Sequence, residues 1–306
     1  MILNNADNIM LGSIEVNKVF LGTSLVWERR IGPQIAYDET KINVVKYDEN
    51  EQLMPESIEY YDTLSDAGNA VEYNWDYDID GPRNCHIHIG NQSSCVPTID
   101  YDLYFTSYLV SIDIPEGVTT FPETFLGVTL IRSVHIPSTV TSIGDGFCER
   151  CEHLESITVA NGNTHYLSEN GSLFNANKTT LIRYASGNDR TSYTVPNGVT
   201  EIEHSAFYGA QYLESLTLPV GLTTIGYEAF IDCWLNTLTI PEGVTQLPEY
   251  LCNHVDVINI PSTCRVIDRS AFGYCGDPIT ININRATGSI SGSPWSARAA
   301  TVNWIG

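Results

Sequence analysis

One short unit, written eight times between residue 105 and the C-terminus, constrains this chain more than any other feature. It reads Leu109-Val-Ser-Ile-Asp-Ile-Pro115, then Ile131-Arg-Ser-Val-His-Ile-Pro137. It returns as Leu213-Glu-Ser-Leu-Thr-Leu-Pro219, Leu235-Asn-Thr-Leu-Thr-Ile-Pro241 and Val255-Asp-Val-Ile-Asn-Ile-Pro261. Leu154-Glu-Ser-Ile-Thr-Val159 carries Ala160 in place of the proline, Ser192-Tyr-Thr-Val-Pro196 is a shortened copy, and Ile279-Thr-Ile-Asn-Ile283 is a degenerate last one. The prolines at 115, 137, 219, 241 and 261 each lie 20 to 23 residues from a neighbouring copy. Self-similarity at a fixed period of this length is the signature of a solenoid.

The physics of the unit explains its spelling. Apolar side chains at alternate positions make a short, half-buried strand. Pro cannot donate to a ladder, so it ends that strand and turns the chain. A second run follows, such as Gly117-Val-Thr-Thr-Phe121, Thr139-Val-Thr-Ser-Ile-Gly144, Gly198-Val-Thr-Glu-Ile202 and Gly221-Leu-Thr-Thr-Ile-Gly226. A phenylalanine then closes the coil at 125, 147, 207, 230 and 272. No single coil can bury its own apolar residues, each contributing roughly 1.5–3 kcal/mol when sequestered, so the coils must stack. The expected fold is therefore mainly β, a solenoid of about eight coils. The alternative is a β-sandwich in which strand–turn motifs recur by coincidence.

The pattern closely resembles the leucine-rich repeats of the BspA type, found in bacterial surface adhesins, over residues 105–306. The resemblance includes an interruption at Asn161-Gly-Asn-Thr-His-Tyr166, Asn170-Gly-Ser-Leu-Phe174 and Thr180-Leu-Ile-Arg-Tyr184, which reads as a β-hairpin pair between two coils.

Strand alternation picks out a candidate binding face. The residue before the last apolar position of each strand points outward: Asp113, His135, Thr158, Thr194, Thr217, Thr239, Asn259 and Asn282. Two residues earlier stands a second column containing Ser111, Ser133, Ser156, Ser192, Ser215, Thr237, Val257 and Thr280. This flat, hydroxyl-rich ladder suits extended contacts with a protein or glycan. The competing explanation is that Thr and Ser simply suit an exposed strand face. Few aromatics or arginines stand in these columns, so no protein hot spot is evident there.

Other chemistry finds little footing. Asp76, Asp78 and Asp80 before Gly81 have the oxygen spacing that opens a calcium loop, but Ile87 stands where a closing Glu is needed. They are the one candidate metal set carried forward, with calcium as the cofactor they would take. Cys85-His86-Ile-His88, with Cys95 nearby, also has metal-ligating residue types, but alternating His on a strand is read as one exposed face. Cys148 and Cys151 form a C-x-x-C, yet Cys233 and Cys275 fall at nearly the same point of their coils, so all are read as small buried fillers. His135, His153, His165, His204 and His254 are scattered over separate coils without an evident Ser or Cys partner. No catalytic residue is expected and the chain is read as a non-enzyme.

The chain carries 37 Asp and Glu against 15 Lys and Arg, a formal net charge of -22. Such a surface repels nucleic acids and anionic membranes. No run of about 20 apolar residues offers a membrane span. The first residues, Met1-Ile-Leu-Asn-Asn-Ala-Asp7, have neither a basic nor a continuous apolar region, so they do not read as a secretory signal.

Residues 1–30 read as a β-hairpin module ending on Trp27, with Gly12 and Gly22 at turns. The run Ile14-Glu-Val-Asn-Lys-Val-Phe-Leu-Gly-Thr-Ser-Leu-Val-Trp-Glu28 resembles a short module at the start of bacteriophage tail and virion proteins. Residues 31–104 follow as an acidic, Tyr-rich β domain or a cap for the solenoid, with fifteen Asp and Glu in 38–102 against Lys41, Lys46 and Arg83. Trp295, Trp304 and Ile305 are expected to cap the other end.

The first functional reading is a phage-borne adhesin or tail-associated structural protein. Residues 1–30 would attach it to other virion proteins, and the solenoid would meet a protein or glycan on the host surface. The absence of a signal and a membrane span favours this reading, because virion proteins assemble in the cytoplasm. The alternative is a bacterial cell-surface adhesin of the BspA type. Fibre-like virion proteins are commonly homo-oligomers, though no coiled coil is written here.

Overall fold

A computed structural model describes residues 35–46, 54, 57–62, 66–67, 85–90, 109–123, 125–126, 130–275 and 278–306. It also gives the backbone of four short strands between residues 9 and 28. Those four strands form two antiparallel pairs, Ile9–Leu11 with Ile14–Val16 and Lys18–Leu21 with Ser24–Glu28.

The described residues from Cys85 onward form a β-solenoid. Long strands of successive coils pair in parallel within three sheets. Cys85–Ile89 pairs with Leu109–Asp113, and Ser133–Ile136 pairs with Ser156–Val159. Ser192–Thr194, Ser215–Thr217, Leu235–Thr239, Val255–Ile260, Ile279–Ile283 and Ala300–Trp304 then form one six-stranded sheet. A second wall is built from two-residue strands. Thr120–Phe121 pairs with Ser142–Ile143, Glu201–Ile202 with Thr224–Ile225, and Gln246–Leu247 with Val266–Ile267, all in parallel. The third side runs through turns and carries the phenylalanines inward. No helix among the described residues is long and apolar enough to cross a membrane.

Phe125, Phe147, Phe207, Phe230 and Phe272 are all fully buried, and Phe125 stacks with Phe147 and Phe207 with Phe230. Ring centroids lie 5.5 Å apart for Phe207 and Phe230. The glycines that follow two of the short strands allow this spacing. A Cβ on Gly144 would sit 2.3 Å from the Cα of Glu123, and one on Gly226 would sit 2.4 Å from the backbone nitrogen of His204. Neither neighbour can retreat, because both are main chain of the coil before.

The insert is as expected, and it does more than interrupt. Tyr166–Glu169 and Ser172–Asn175 form an antiparallel hairpin, and Thr180–Arg183 pairs antiparallel with its second strand. Thr180–Arg183 also pairs in parallel with Glu201–Ile202, which returns the chain to the coil. All four residues of this strand are buried. Leu181 and Tyr184 pack into a core that runs on to Trp295, whereas Ile182 and Ala185 pack into a core that begins at Ile42. The strand is therefore a septum between two apolar bodies.

Both ends differ from the sequence reading. The first parallel strand, Cys85–Ile89, falls inside the stretch read as a cap, because Gly90 stands where the motif would have Pro. Its outer neighbour Ile42–Lys46 runs antiparallel to it, followed by Glu59–Tyr61. At the far end Ile279–Ile283 is not last, since Ala300–Trp304 adds one more parallel strand. Trp295 is core and Trp304 packs partly against it, but Ile305 is exposed and caps nothing.

Candidate functional site

The strand face carries the expected columns, in register wherever neighbouring strands pair. His135 lies opposite Thr158, Thr194 opposite Thr217, Thr239 opposite Asn259, and Asn259 opposite Asn282. In the second column Ser133 faces Ser156, and Ser192 faces Ser215. Asp113, His135, Thr158, Thr194, Thr217 and Thr239 are exposed, and Asn259 and Asn282 are half-buried. The coordinates extend both columns past the residues legible in sequence: Thr301 and Asn303 at one end, and His86 and His88 opposite Ser111 and Asp113 at the other.

Much of the polarity in this face is turned along the column. Asn303 Nδ2 donates to Asn282 Oδ1 at 2.9 Å, Asn282 Nδ2 to Asn259 Oδ1 at 2.9 Å, and Asn259 Nδ2 to Thr239 Oγ1 at 3.0 Å. His135 Nδ1 and Thr158 Oγ1 are 2.9 Å apart. These rungs hold neighbouring strands in register, and they leave fewer donors for a partner than the sequence suggests.

At the N-terminal end of the face the histidine pair is not the exposed pair expected. His86 is only 5% accessible because Tyr37 packs by its ring and the next strand lies against it. His88 is stacked on Tyr37 at 4.0 Å. His88 Nδ1 lies 3.1 Å from Asp113 Oδ2, and its Nε2 lies 3.3 Å from Glu39 Oε1. Burial alone would pull His88 below its usual pKa, but the Asp113 and Glu39 carboxylates outweigh it and raise it. Burial likewise raises Asp113, yet the two imidazoles hold it well below the ordinary carboxylate range. Cys85 cannot join the pair. It points to the opposite side of the strand with Ile87 and Ile89, where burial pushes its thiol up to about 11. Cys95 and the calcium candidates Asp76, Asp78 and Asp80 lie outside the described residues.

The turn side holds what the sequence reading missed. Tyr212, Tyr227, Trp234 and Tyr274 are large exposed aromatics. Tyr227 stacks on His204 at 3.6 Å, Trp234 on His254 at 4.9 Å, and Tyr250 on Tyr274 at 4.5 Å. Beside Tyr274 a groove of about 330 Å³ is lined by Arg150, Tyr208, Glu228, Ile231, Asp232, Asn253 and Tyr274 itself. Arg150 lies over the Tyr208 ring at 5.2 Å. Asn253 Nδ2 donates to Asp232 Oδ1 and its Oδ1 accepts from the Asp232 amide, both at 2.7 Å. Ser205, Glu228 and Tyr250 all adopt a left-handed backbone, at φ of 51°, 55° and 49°. Each stands two residues before the inward residue of its coil, so the turn is repeated and its strain is shared by the stack.

This side also brings a serine to a histidine, which the sequence reading did not expect. Ser205 Oγ lies 3.2 Å from His204 Nδ1 and 3.3 Å from its Nε2. Being equidistant from both nitrogens, the hydroxyl lines up with neither lone pair. Ser205 is also fully buried, so it cannot meet a substrate. The three thiols after the coil phenylalanines are fillers, as expected: Cys151 donates to Leu126 O, Cys233 to Phe207 O and Cys275 to Cys252 O. Nothing among the described residues forms catalytic machinery.

The BspA-type leucine-rich repeat pattern matches residues 83–179 and 184–297 in six copies, which leaves residues 1–82 outside it. A leucine-rich cell surface protein from Faecalibacterium prausnitzii A2-165 is 28% identical with a TM-score of 0.54, over 63% of this chain and 59% of its own. A leucine-rich-repeat protein from Eubacterium ventriosum is 23% identical with a TM-score of 0.43, over 65% and 49%. Another from Bacteroides ovatus is 18% identical with a TM-score of 0.43, over 71% and 60%. The chain thus spans less than two thirds of each of these three structures. No curated protein matches it. With more than half of its length under one repeat pattern, the chain belongs to the BspA-type leucine-rich-repeat family.

Proposed function

We propose that this protein is a non-enzymatic adhesin displayed on a bacterial cell surface, and that it holds glycans along the turn side of its solenoid. The observation that carries the reading is the groove in which exposed Tyr274 stands with Glu228, Asp232 and Asn253, with exposed Trp234 stacked on His254, whose Nε2 lies 3.7 Å from Asp232. Aromatic faces pack against the apolar faces of sugar rings, and fixed acceptors and donors beside them meet hydroxyls. The net charge of -22 points to neutral rather than anionic polymers. Display at a cell surface is supported by the 28% identity to the Faecalibacterium cell surface protein. Attachment to a virion through residues 1–30 rests on the sequence of that segment alone.

The test is retention of the full chain on immobilised neutral polysaccharides, compared with Trp234→Ala, Tyr274→Ala and the strand-face double variant Thr217→Ala/Thr239→Ala. Retention lost in the aromatic variants and kept in the double variant supports the turn side. The reverse result moves the site to the strand face. Absence of retention for every chain refutes glycan binding.

A further inference from the structure

We propose that His86, His88 and Asp113 bind a divalent transition-metal ion at the N-terminal end of the strand face. The donor atoms, His86 Nε2, His88 Nδ1 and Asp113 Oδ2, lie within 4.8 Å of one another. Asp113 Oδ2 is 3.3 Å from the first and 3.1 Å from the second. Bonds of about 2.0–2.2 Å to nitrogen and carboxylate oxygen separate neighbouring ligand atoms by about 3–3.5 Å, which the two edges meeting at Asp113 Oδ2 already match.

Two further observations separate this cluster from an ordinary surface ion pair. His86 Nε2 is buried and faces Asp113 Oδ2 at 3.3 Å without completing a hydrogen bond. A metal ion would take the lone pair of this nitrogen. The second observation is an outer shell around each imidazole. The remaining nitrogen of His86, Nδ1, is 2.7 Å from Ser111 Oγ, and the remaining nitrogen of His88, Nε2, is 3.3 Å from Glu39 Oε1. Ligating histidines typically hold their other nitrogen in this way, which fixes tautomer and ring orientation. Tyr37, stacked on His88, fixes the ring further.

Two imidazoles and one carboxylate suit zinc, cobalt, nickel or copper, whereas calcium and magnesium take oxygen ligands. Three protein ligands leave a coordination position open, and the exposed Asp113 places that position at the solvent surface. A donor group of a partner, or water, would fill it. This inference does not depend on the glycan reading, since it concerns the opposite end of a different face.

The experiment is titration of the metal-free full chain with Co²⁺, followed by its absorption spectrum, with Zn²⁺ competition to give the affinity. One Co²⁺ per chain is expected, with a nitrogen–oxygen spectrum and no thiolate charge-transfer band. His88→Gln and Asp113→Asn should each weaken binding about 100-fold, and Glu39→Gln about 10-fold, while His204→Gln changes nothing. Asp113 is exposed, so its variant remains informative if His88→Gln fails to fold, as checked by circular dichroism. Binding unchanged in Asp113→Asn, a thiolate-type spectrum, or no uptake at millimolar metal would overturn the assignment.

Discussion

The C-terminal part of the solenoid and its N-terminal part are built from one repeat and held together differently. From Ser192 to Trp304 six long strands form an unbroken parallel sheet over a single core. Before the insert the long strands fall into separate sheets, Glu59–Tyr61 to Leu109–Asp113 and then Ser133–Ile136 with Ser156–Val159, over a second core. In the first region each coil is stabilised by a near-copy of itself, so continuity follows from repetition. At the boundary no copy is available. There the chain uses the doubly buried strand Thr180–Arg183, and Arg183 binds across it. Its Nε donates to Phe147 O at 2.9 Å and its Nη2 to Asp145 O at 3.3 Å on one side, and its Nη1 donates to Ser205 O on the other. Burial lowers its pKa, partly offset by neighbouring acidic groups, but the side chain stays charged.

The largest effect should come from the repeated region itself. Phe230→Ala removes a ring stacked between neighbouring coils and should cost about 3–5 kcal/mol. Hydrogen exchange should show the loss concentrated after Ser192, with amides of Ser133–Val159 little changed; uniform loss would mean that the two bodies unfold as one. Arg183→Met should come next. It leaves the carbonyls of Phe147, Asp145 and Ser205 without their donor, at about 2–4 kcal/mol in all. Calorimetry should then show the two bodies melting further apart than in the parent, and an unshifted profile would show that Arg183 does not couple the halves. The smallest effect concerns Glu203, whose carboxyl is raised to about 7 by burial and by Asp145 facing it from the other body. Because the folded pKa lies above the ordinary carboxylate value, the folded state holds the proton more tightly. Stability is therefore lost as pH rises from about 4.5 to 7, and the penalty is complete above 7. Glu203→Gln should raise stability by about 1 kcal/mol at pH 8 and leave it unchanged at pH 4. An equal gain at both pH values would assign the effect to packing.

The regular parts of the fold were legible because they are written in alternation and spacing. The strand–Pro units, the inward phenylalanines and the hairpin insert all follow from local rules. Cys85–Ile89 and Ala300–Trp304 were not legible as coil strands, because neither is followed by the proline that marks the others. The aromatic side escaped for a related reason. Tyr208, Tyr227, Trp234 and Tyr274 sit at offsets of +1, −3, +4 and +2 from their phenylalanines, and only the turn geometry brings Tyr208 and Tyr274 into one groove. The same holds for His86 and Asp113, which meet through strand register. The signal that was available, Cys-His-Ile-His, could not be weighed without knowing what covers His86.

The buried thiols have a use outside the fold's own chemistry. Cys85, Cys148 and Cys151 lie in the first body and Cys233, Cys252, Cys264 and Cys275 in the second, all of them buried. A thiol in such a place meets an alkylating reagent only when its own coil opens. The wild-type protein thus carries a calibrated tape along its axis. Counting adducts by mass after brief exposure would show which end unravels first, and how far the opening travels before it stops.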